Sequence, residues 1–298
     1  MRGKLSPLLL AYLALLLMLL GTQINFDREY RFWFKDADNN FSPEVISQLV
    51  GAIWQYSENA ECNQHFAADG FDGAAWRFCY SANTDRPTII LLGNSHANSL
   101  VPGVISAARD RFGVLSMGAC DLTGTIIFEN KNHPCSADNF DKGFQQILAS
   151  IQQLEAIAIV VDGLEVNPSP EYLVQLRQKL LMLAHHTDVL MIVEPHFKPE
   201  MHPRLCFSRP FVDATHTCKG IPYERDAALR VYETFLADLQ GSLEVSLLEV
   251  NDFVCNESLC DVIDNGLPFY RDEVHISEYL SLEIGPRLIE HILARTEI

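Results

Sequence analysis

Along this chain, short unbroken apolar runs alternate with longer stretches in which apolar residues return every three or four positions. The first kind reads as buried strand and the second as amphipathic helix. The strand runs are Thr88-Ile89-Ile90-Leu91-Leu92, Phe112-Gly113-Val114-Leu115-Ser116, Ala156-Ile157-Ala158-Ile159-Val160-Val161, Val189-Leu190-Met191-Ile192-Val193, and Leu243 to Val250. Helical spacing carries Leu100, Val101, Val104, Ile105 and Ala108, and then the segments Ala137 to Gln153, Pro170 to His185, Tyr223 to Leu239 and Ser277 to Ala294. About five strands alternating with about five helices predict an α/β domain, a parallel sheet covered on both faces. In such sheets the ligand crevice lies outside the carboxyl ends of the strands.

The chain before this alternation reads differently. Arg2 and Lys4 precede an almost unbroken apolar run from Leu5 to Leu20. Cations ahead of such a run make a membrane-anchor or signal-peptide pattern. Gly21-Thr22-Gln23-Ile24-Asn25 offers no clear small-x-small cleavage site, which favours an uncleaved anchor with the rest of the chain outside the cytosol. Residues 1–22 are therefore expected to be a signal anchor or signal peptide, 23–59 a linker and N-terminal helix, and 60–298 the α/β domain. Within the linker region Ser42-Pro43-Glu44 opens a helix, with Ser42 as cap and Pro43 at the first helical position. Residues 60–86 hold Cys62 and Cys79 but little periodicity, and read as a stapled loop leading into the first strand.

Chemistry concentrates where the first strand ends. After Leu92 come Gly93-Asn94-Ser95-His96-Ala97-Asn98, a sharp strand-to-helix turn with Ser95 on it. Backbone N–H groups at a helix start can face a developing negative charge. Ser95 and Asn98 also suit plain helix capping. Far downstream, Tyr270-Arg271-Asp272-Glu273-Val274-His275-Ile276-Ser277 supplies an Asp and a His just before another helical pattern. A nucleophilic serine needs a base to take its proton and a carboxylate to orient that base. The chain has all three in the order Ser95, Asp272, His275; the competing reading of the last two is a helix cap and a solvated surface histidine.

Gly93-Asn94-Ser95-His96-Ala97 resembles the G-D-S-H-A nucleophile block of SGNH-type hydrolases, and Asp272-Glu273-Val274-His275-Ile276-Ser277 resembles their D-x-x-H-L-S block. The similarity is greatest to SGNH domains fused to, or working beside, integral-membrane acyltransferases that modify cell-envelope sugars. The resemblance implies a flavodoxin-like three-layer fold and a catalytic triad of Ser95, His275 and Asp272. It implies an oxyanion hole built from the Ser95 N–H and Gly118. The family's asparagine donor belongs to a G-x-N-D block after the third strand, and Val161-Asp162-Gly163-Leu164-Glu165 lacks it. Asn98 or a backbone N–H near Gly163 is the candidate substitute. Asn94, in place of the family's usual Asp, is expected to be structural. The implied activity is transfer or hydrolysis of small acyl groups, acetyl first among them, on an envelope or secreted glycan. No residue decides between water and a sugar hydroxyl as acceptor. An inactive glycan-binding or scaffold module with the same fold, and a secreted lipase or thioesterase, are the competing readings. A multi-span membrane acyltransferase is an implied partner; no cofactor is implied.

Charge and cysteines narrow the setting. With 22 Lys and Arg against 39 Asp and Glu, the formal charge is −17, spread along the chain. Nucleic acid demands a basic face, so it is excluded as a partner, and adhesion to an anionic lipid surface is disfavoured. The eight cysteines fall into four sequence-local pairs, Cys62–Cys79, Cys120–Cys135, Cys206–Cys218 and Cys255–Cys260. Sequence alone leaves connectivity open; nearest-neighbour pairing is the simplest proposal, and the later three pairs also resemble those of SGNH domains. No C-x-x-C cluster for zinc occurs, and an oxidising compartment makes bridges the default. His185, His186, His196 and His202 show no metal-ligand spacing and read as ordinary loop residues, with His196, just past a strand end, able to line the acceptor cleft.

Overall fold

The structure is a computed structural model; it describes residues 42–50, 62, 78–118, 120–125, 129, 131, 135–137, 139–207, 218–241 and 243–296. The expected membrane segment 1–22 and most of the linker lie outside these residues. Among the described residues no helix is long and apolar enough to cross a membrane. Six strands form the main sheet: β1 (Phe78–Ala82), β2 (Thr88–Gly93), β3 (Gly113–Gly118), β4 (Ala156–Asp162), β5 (Val189–Val193) and β6 (Ser246–Leu248). Among the described residues six helices of eight residues or more accompany them: α1 (Pro43–Val50), α2 (Ser95–Ala108), α3 (Phe140–Ile151), α4 (Pro170–Leu183), α5 (Tyr223–Leu239) and α6 (Glu278–Leu293).

The strands lie in the order β1-β3-β2-β4-β5-β6. β2 to β6 run parallel, and β1 pairs antiparallel with β3 at the edge. The parallel strands alone repeat the flavodoxin-like order, whose reversal of direction falls between the first and third of them, here β2 and β4. That reversal opens a crevice at their carboxyl ends, where Gly93 pairs with Asp162.

Burial explains why the parallel strands read as continuous apolar runs. Every residue of β2, β4 and β5 is buried, as both faces of a covered parallel sheet require. Ile89 and Leu91 pack with α2 and α6 through Leu100, Val104, Leu280 and Ile284. Ile90 and Leu92 pack on the opposite face with Phe144, Tyr172, Leu176 and Tyr232 of α3, α4 and α5. Burying each such side chain stabilises the fold by roughly 1.5–3 kcal/mol. Three layers result, helix on sheet on helix.

Two expectations change. Residues 78–82, expected to lie in a stapled loop, form β1. The strand escapes the pattern because its inward positions are Cys79 and Ser81, neither of which reads as a strong apolar signal. The last strand shrinks to Ser246–Leu248, the part that meets β5. The structure joins Cys62–Cys79, Cys120–Cys135, Cys206–Cys218 and Cys255–Cys260. The first of these bolts residue 62 to β1, and the third closes the excursion between β5 and α5.

Candidate active site

Ser95 is the first residue of α2, two positions beyond β2. Gly93 turns the chain there with φ +143°, and a Cβ on it would lie 2.0 Å from the Asp162 carbonyl oxygen, so only glycine fits this approach. The cap is Asn94, not Ser95 or Asn98: its Oδ1 accepts a hydrogen bond from the His96 N–H at 3.0 Å. Its Nδ2 donates to the Gly163 carbonyl at 3.2 Å. One side chain thus ties the serine turn to the loop after β4. With the cap supplied by Asn94, the Ser95 hydroxyl is left over for other work, and its N–H is among the helix-start amides with no intrahelical partner.

His275 Nε2 lies 2.7 Å from Ser95 Oγ. Its Nδ1 lies 2.9 Å and 3.1 Å from the two oxygens of Asp272. Asp272 Oδ1 also accepts the N–H groups of Val274 and His275, at 2.8 Å and 2.7 Å. Burial works against the carboxylate charge, but the bonds from His275 and these amides outweigh it and hold the carboxyl well below its usual range. An ionised Asp272 can only accept, so Nδ1 carries the proton and donates to it. Nε2 is then the acceptor for the Ser95 hydroxyl. Asp272 is not a helix cap; Ser277 caps α6, its hydroxyl accepting from the Leu280 N–H.

Helix packing sets the distance between these groups. α2 begins at Ser95, and α6 follows the His275 loop. The helices touch at Gly103 and Gly285, where an added Cβ would lie 1.7 Å from the Ser281 carbonyl oxygen and 2.1 Å from that of Gly103 respectively. The Gly103 N–H donates to the Ser281 hydroxyl at 3.0 Å. The His275 loop is closed by the Arg271 N–H donating to the His275 carbonyl at 3.0 Å, and by the Ser277 N–H donating to that of Phe269 at 2.9 Å.

The candidate oxyanion groups do not all converge. Gly118 ends β3 beside β2, on the same carboxyl edge as Ser95. The Gly163 N–H is turned instead to the Asp162 carboxylate at 2.6 Å. Asn98 is completely buried at 0% exposure, shut away from any open cleft. Of the four positions, the Ser95 N–H and Gly118 keep a place at the sheet edge where a substrate would lie.

Beside this line stands a second acid–imidazole pair that the sequence reading passed over. His196 Nε2 lies 3.1 Å from Asp162 Oδ2, and both side chains are 1% exposed. His196 is therefore not an ordinary loop residue. Burial works against both charges, yet each partner outweighs it for the other: the histidine is raised and the aspartate lowered. The loop that carries His196 is bolted to Asn251, three residues after β6. Asn251 Nδ2 donates to the Pro195 carbonyl at 2.9 Å, its Oδ1 accepts from the Phe197 N–H at 2.6 Å, and its own N–H donates to Glu194 Oε1 at 2.6 Å. The signal that points to the pair is position: Asp162 ends β4 and His196 follows β5 by three residues, so both stand at the carboxyl edge where ligands bind.

His96 joins the two pairs. Its ring meets that of His196 edge-on at 5.1 Å and leans against that of His275 at 5.4 Å. Burial, then the adjacent His196, hold it neutral down to about 3. Two charged rings 5.4 Å apart repel by about 3 kcal/mol at an effective dielectric of ~20. A neutral His96 spares His275 that repulsion when it takes a proton.

The sequence model of the SGNH domain (fused to AT3 domains) matches residues 61–290. In fold the chain is similar to the periplasmic domain of a lipopolysaccharide acetyltransferase of Salmonella ser. Paratyphi A, with a TM-score of 0.52 at 11% identity, over 81% of this chain and 97% of that one. No curated protein sequence gives a significant match. The match to the domain model spans most of the chain, from the residue before Cys62 to the last turn of α6, and so the chain belongs to the SGNH domain family of the kind fused to AT3 domains.

Proposed function

We propose that this protein moves or removes small acyl groups, acetyl foremost, on hydroxyls of a cell-envelope or secreted glycan, through Ser95, His275 and Asp272. The observation that carries the reading is the unbroken line from the Ser95 hydroxyl through both nitrogens of His275 to Asp272. Ser95 Oγ attacks the acyl carbonyl while His275 Nε2 takes its proton. Asp272 keeps the Nδ1–H tautomer and stabilises the imidazolium that forms. The Ser95 N–H and Gly118 face the oxyanion. As the tetrahedral adduct collapses, His275 returns the proton to the departing alcohol and leaves an acyl-serine. Water or a glycan hydroxyl then gives up its proton to His275 and attacks the acyl-serine; as the acyl–Oγ bond breaks, His275 returns that proton to Ser95 Oγ and the acyl group leaves on the acceptor.

Four disulfides support an extracytoplasmic setting, and the apolar segment 5–20 would anchor the domain, residues 60–298, to a membrane. The family's description supports a multi-span membrane acyltransferase as the partner that delivers acyl groups. The similar fold is that of a lipopolysaccharide acetyltransferase domain, which supports acetyl as the group and an envelope glycan as acceptor. The oxyanion side supports a second reading, an inactive glycan-binding or scaffold module, because Gly163 spends its N–H on Asp162 and Asn98 is buried.

A fluorophosphonate probe separates the two readings. Labelling of the wild type that disappears in Ser95→Ala and falls steeply in His275→Ala supports the enzyme; an unlabelled wild type, beside a reactive esterase control, leaves the binding module. An esterase screen with short and long acyl chains then tests acetyl against the lipase reading.

A further inference from the structure

We propose that the buried pair of Asp162 and His196 is a positioning device for the catalytic imidazole, fixing His96 as the wall against which the His275 ring stands. The inference rests on the reading that Ser95 and His275 perform acyl chemistry. It is carried by a continuous row of contacts. Asp162 meets His196 at 3.1 Å, His196 meets His96 edge-on at 5.1 Å, and His96 leans on His275 at 5.4 Å. His96 Nδ1 is out of solvent and has no hydrogen-bond partner among the described residues, so no bond at that nitrogen fixes the ring, and the rings of His196 and His275 bound it on two sides. The row is anchored at its far end twice. Asp162 Oδ1 accepts the Gly163 N–H, and the Gly163 carbonyl accepts from Asn94, beside the nucleophile.

Electrostatics gives the row its direction. Three imidazoles stand together and two carboxylates serve them. Asp272 is paired with His275 and Asp162 with His196, and among the described residues no carboxylate forms an ion pair with His96. Asp162, Glu194 and Lys198 face His196, while His196, Asp162, His275 and Lys198 face His96. With the proton held on His196 beside Asp162, His96 stays neutral. His275 can then become an imidazolium without a second cation at its side. Loss of the His196 ring leaves the Asp162 charge buried, and its field then acts on His96, where it favours a proton on that ring. A cation would then stand against His275, weakening it as a base and making its protonation harder.

The test follows the rate of Ser95 phosphonylation against pH in the full-length protein. In His196→Gln the plateau rate is expected to fall tenfold or more and its acid limb to move to lower pH. His96→Phe keeps a ring as the wall but removes the ionisable group, so adding His196→Gln to it should leave the acid limb in place. A His196→Gln protein that folds and keeps both the rate and the profile of the wild type overturns the proposal, as does a limb that still moves in the double variant. Should His196→Gln not fold, nitrogen-15 NMR of the histidine rings in the wild type decides. His196 charged and His96 neutral at neutral pH supports the proposal; a neutral His196 or a charged His96 refutes it. A wild type that does not label with the probe defeats the serine reading, and the ring charge states remain measurable on their own.

Discussion

The molecule contains the same pair of side chains twice, an aspartate beside a histidine, in opposite surroundings. Asp272 and His275 are 34% and 25% exposed, stand on one loop, and present the free ring nitrogen to a hydroxyl. Asp162 and His196 are both 1% exposed, come from the ends of neighbouring strands, and present nothing to solvent. Exposure decides what each pair can do. A half-open imidazole can exchange protons with a substrate, and its hydrogen-bonded contact with Asp272, partly in water, adds little to stability. A sealed pair cannot reach a substrate, but removing one partner strands a buried charge.

Neutralising each aspartate in turn should therefore produce opposite defects, and this is the largest effect expected. Asp272→Asn should cost about ten-thousandfold in acyl turnover, as loss of a triad carboxylate does, with stability changed by less than about 1 kcal/mol. Asp162→Asn should cost about 3 kcal/mol of stability and only on the order of tenfold in rate per folded molecule. Chemical denaturation read beside esterase kinetics tests this; equal defects in both variants would erase the contrast.

Next in size is the response of stability to pH. His96 is held at about 3 in the folded protein against 6.5 when free. Below 6.5 the unfolded chain binds a proton that the folded one refuses, so the melting temperature should fall as pH drops from about 6.5 toward 3. His196 has the opposite sign. Its folded value is raised, so its contribution is complete below about 6.5 and fades as pH climbs through the raised value. His96→Phe should flatten the acid slope alone, and melting curves across pH would show whether it does.

The two smaller predictions probe how the pairs are held. Gly103→Ala drives a methyl into the backbone of α6 at Ser281 and should cost about 1–3 kcal/mol. It should also lower activity more than stability, since it moves the His275 helix against the Ser95 helix; crystallography or probe kinetics would register the shift. Asn94→Ala removes the cap of α2 and the tie to Gly163, for a loss of about 1 kcal/mol detectable in the denaturation midpoint.

What was legible beforehand followed from local rules. Residues 88–108 read as strand, turn and helix because the apolar spacing switches period at Gly93. Asp272 and His275 read as partners because they are near neighbours on one loop, where Asp272 takes both the ring and the amides. Strand β1 did not read clearly, because Cys79 and Ser81 face inward. The oxyanion substitutes drawn from sequence met a different fate: the direction of the Gly163 N–H depends on the Asp162 side chain, which no spacing reveals.

The sequence by itself determined the layering, the sheet-edge position of Ser95 and the local union of Asp272 with His275, since each rests on residues close together in the chain. Only the tertiary structure decided that His275 meets Ser95, through two helices crossing on glycine, and that Asp162 and His196 are sealed together behind them. A polar residue at the end of an apolar strand looks the same in sequence whether it faces water or a charge. Which it faces is settled by the loop that folds over it, and that loop is held by residues from another strand.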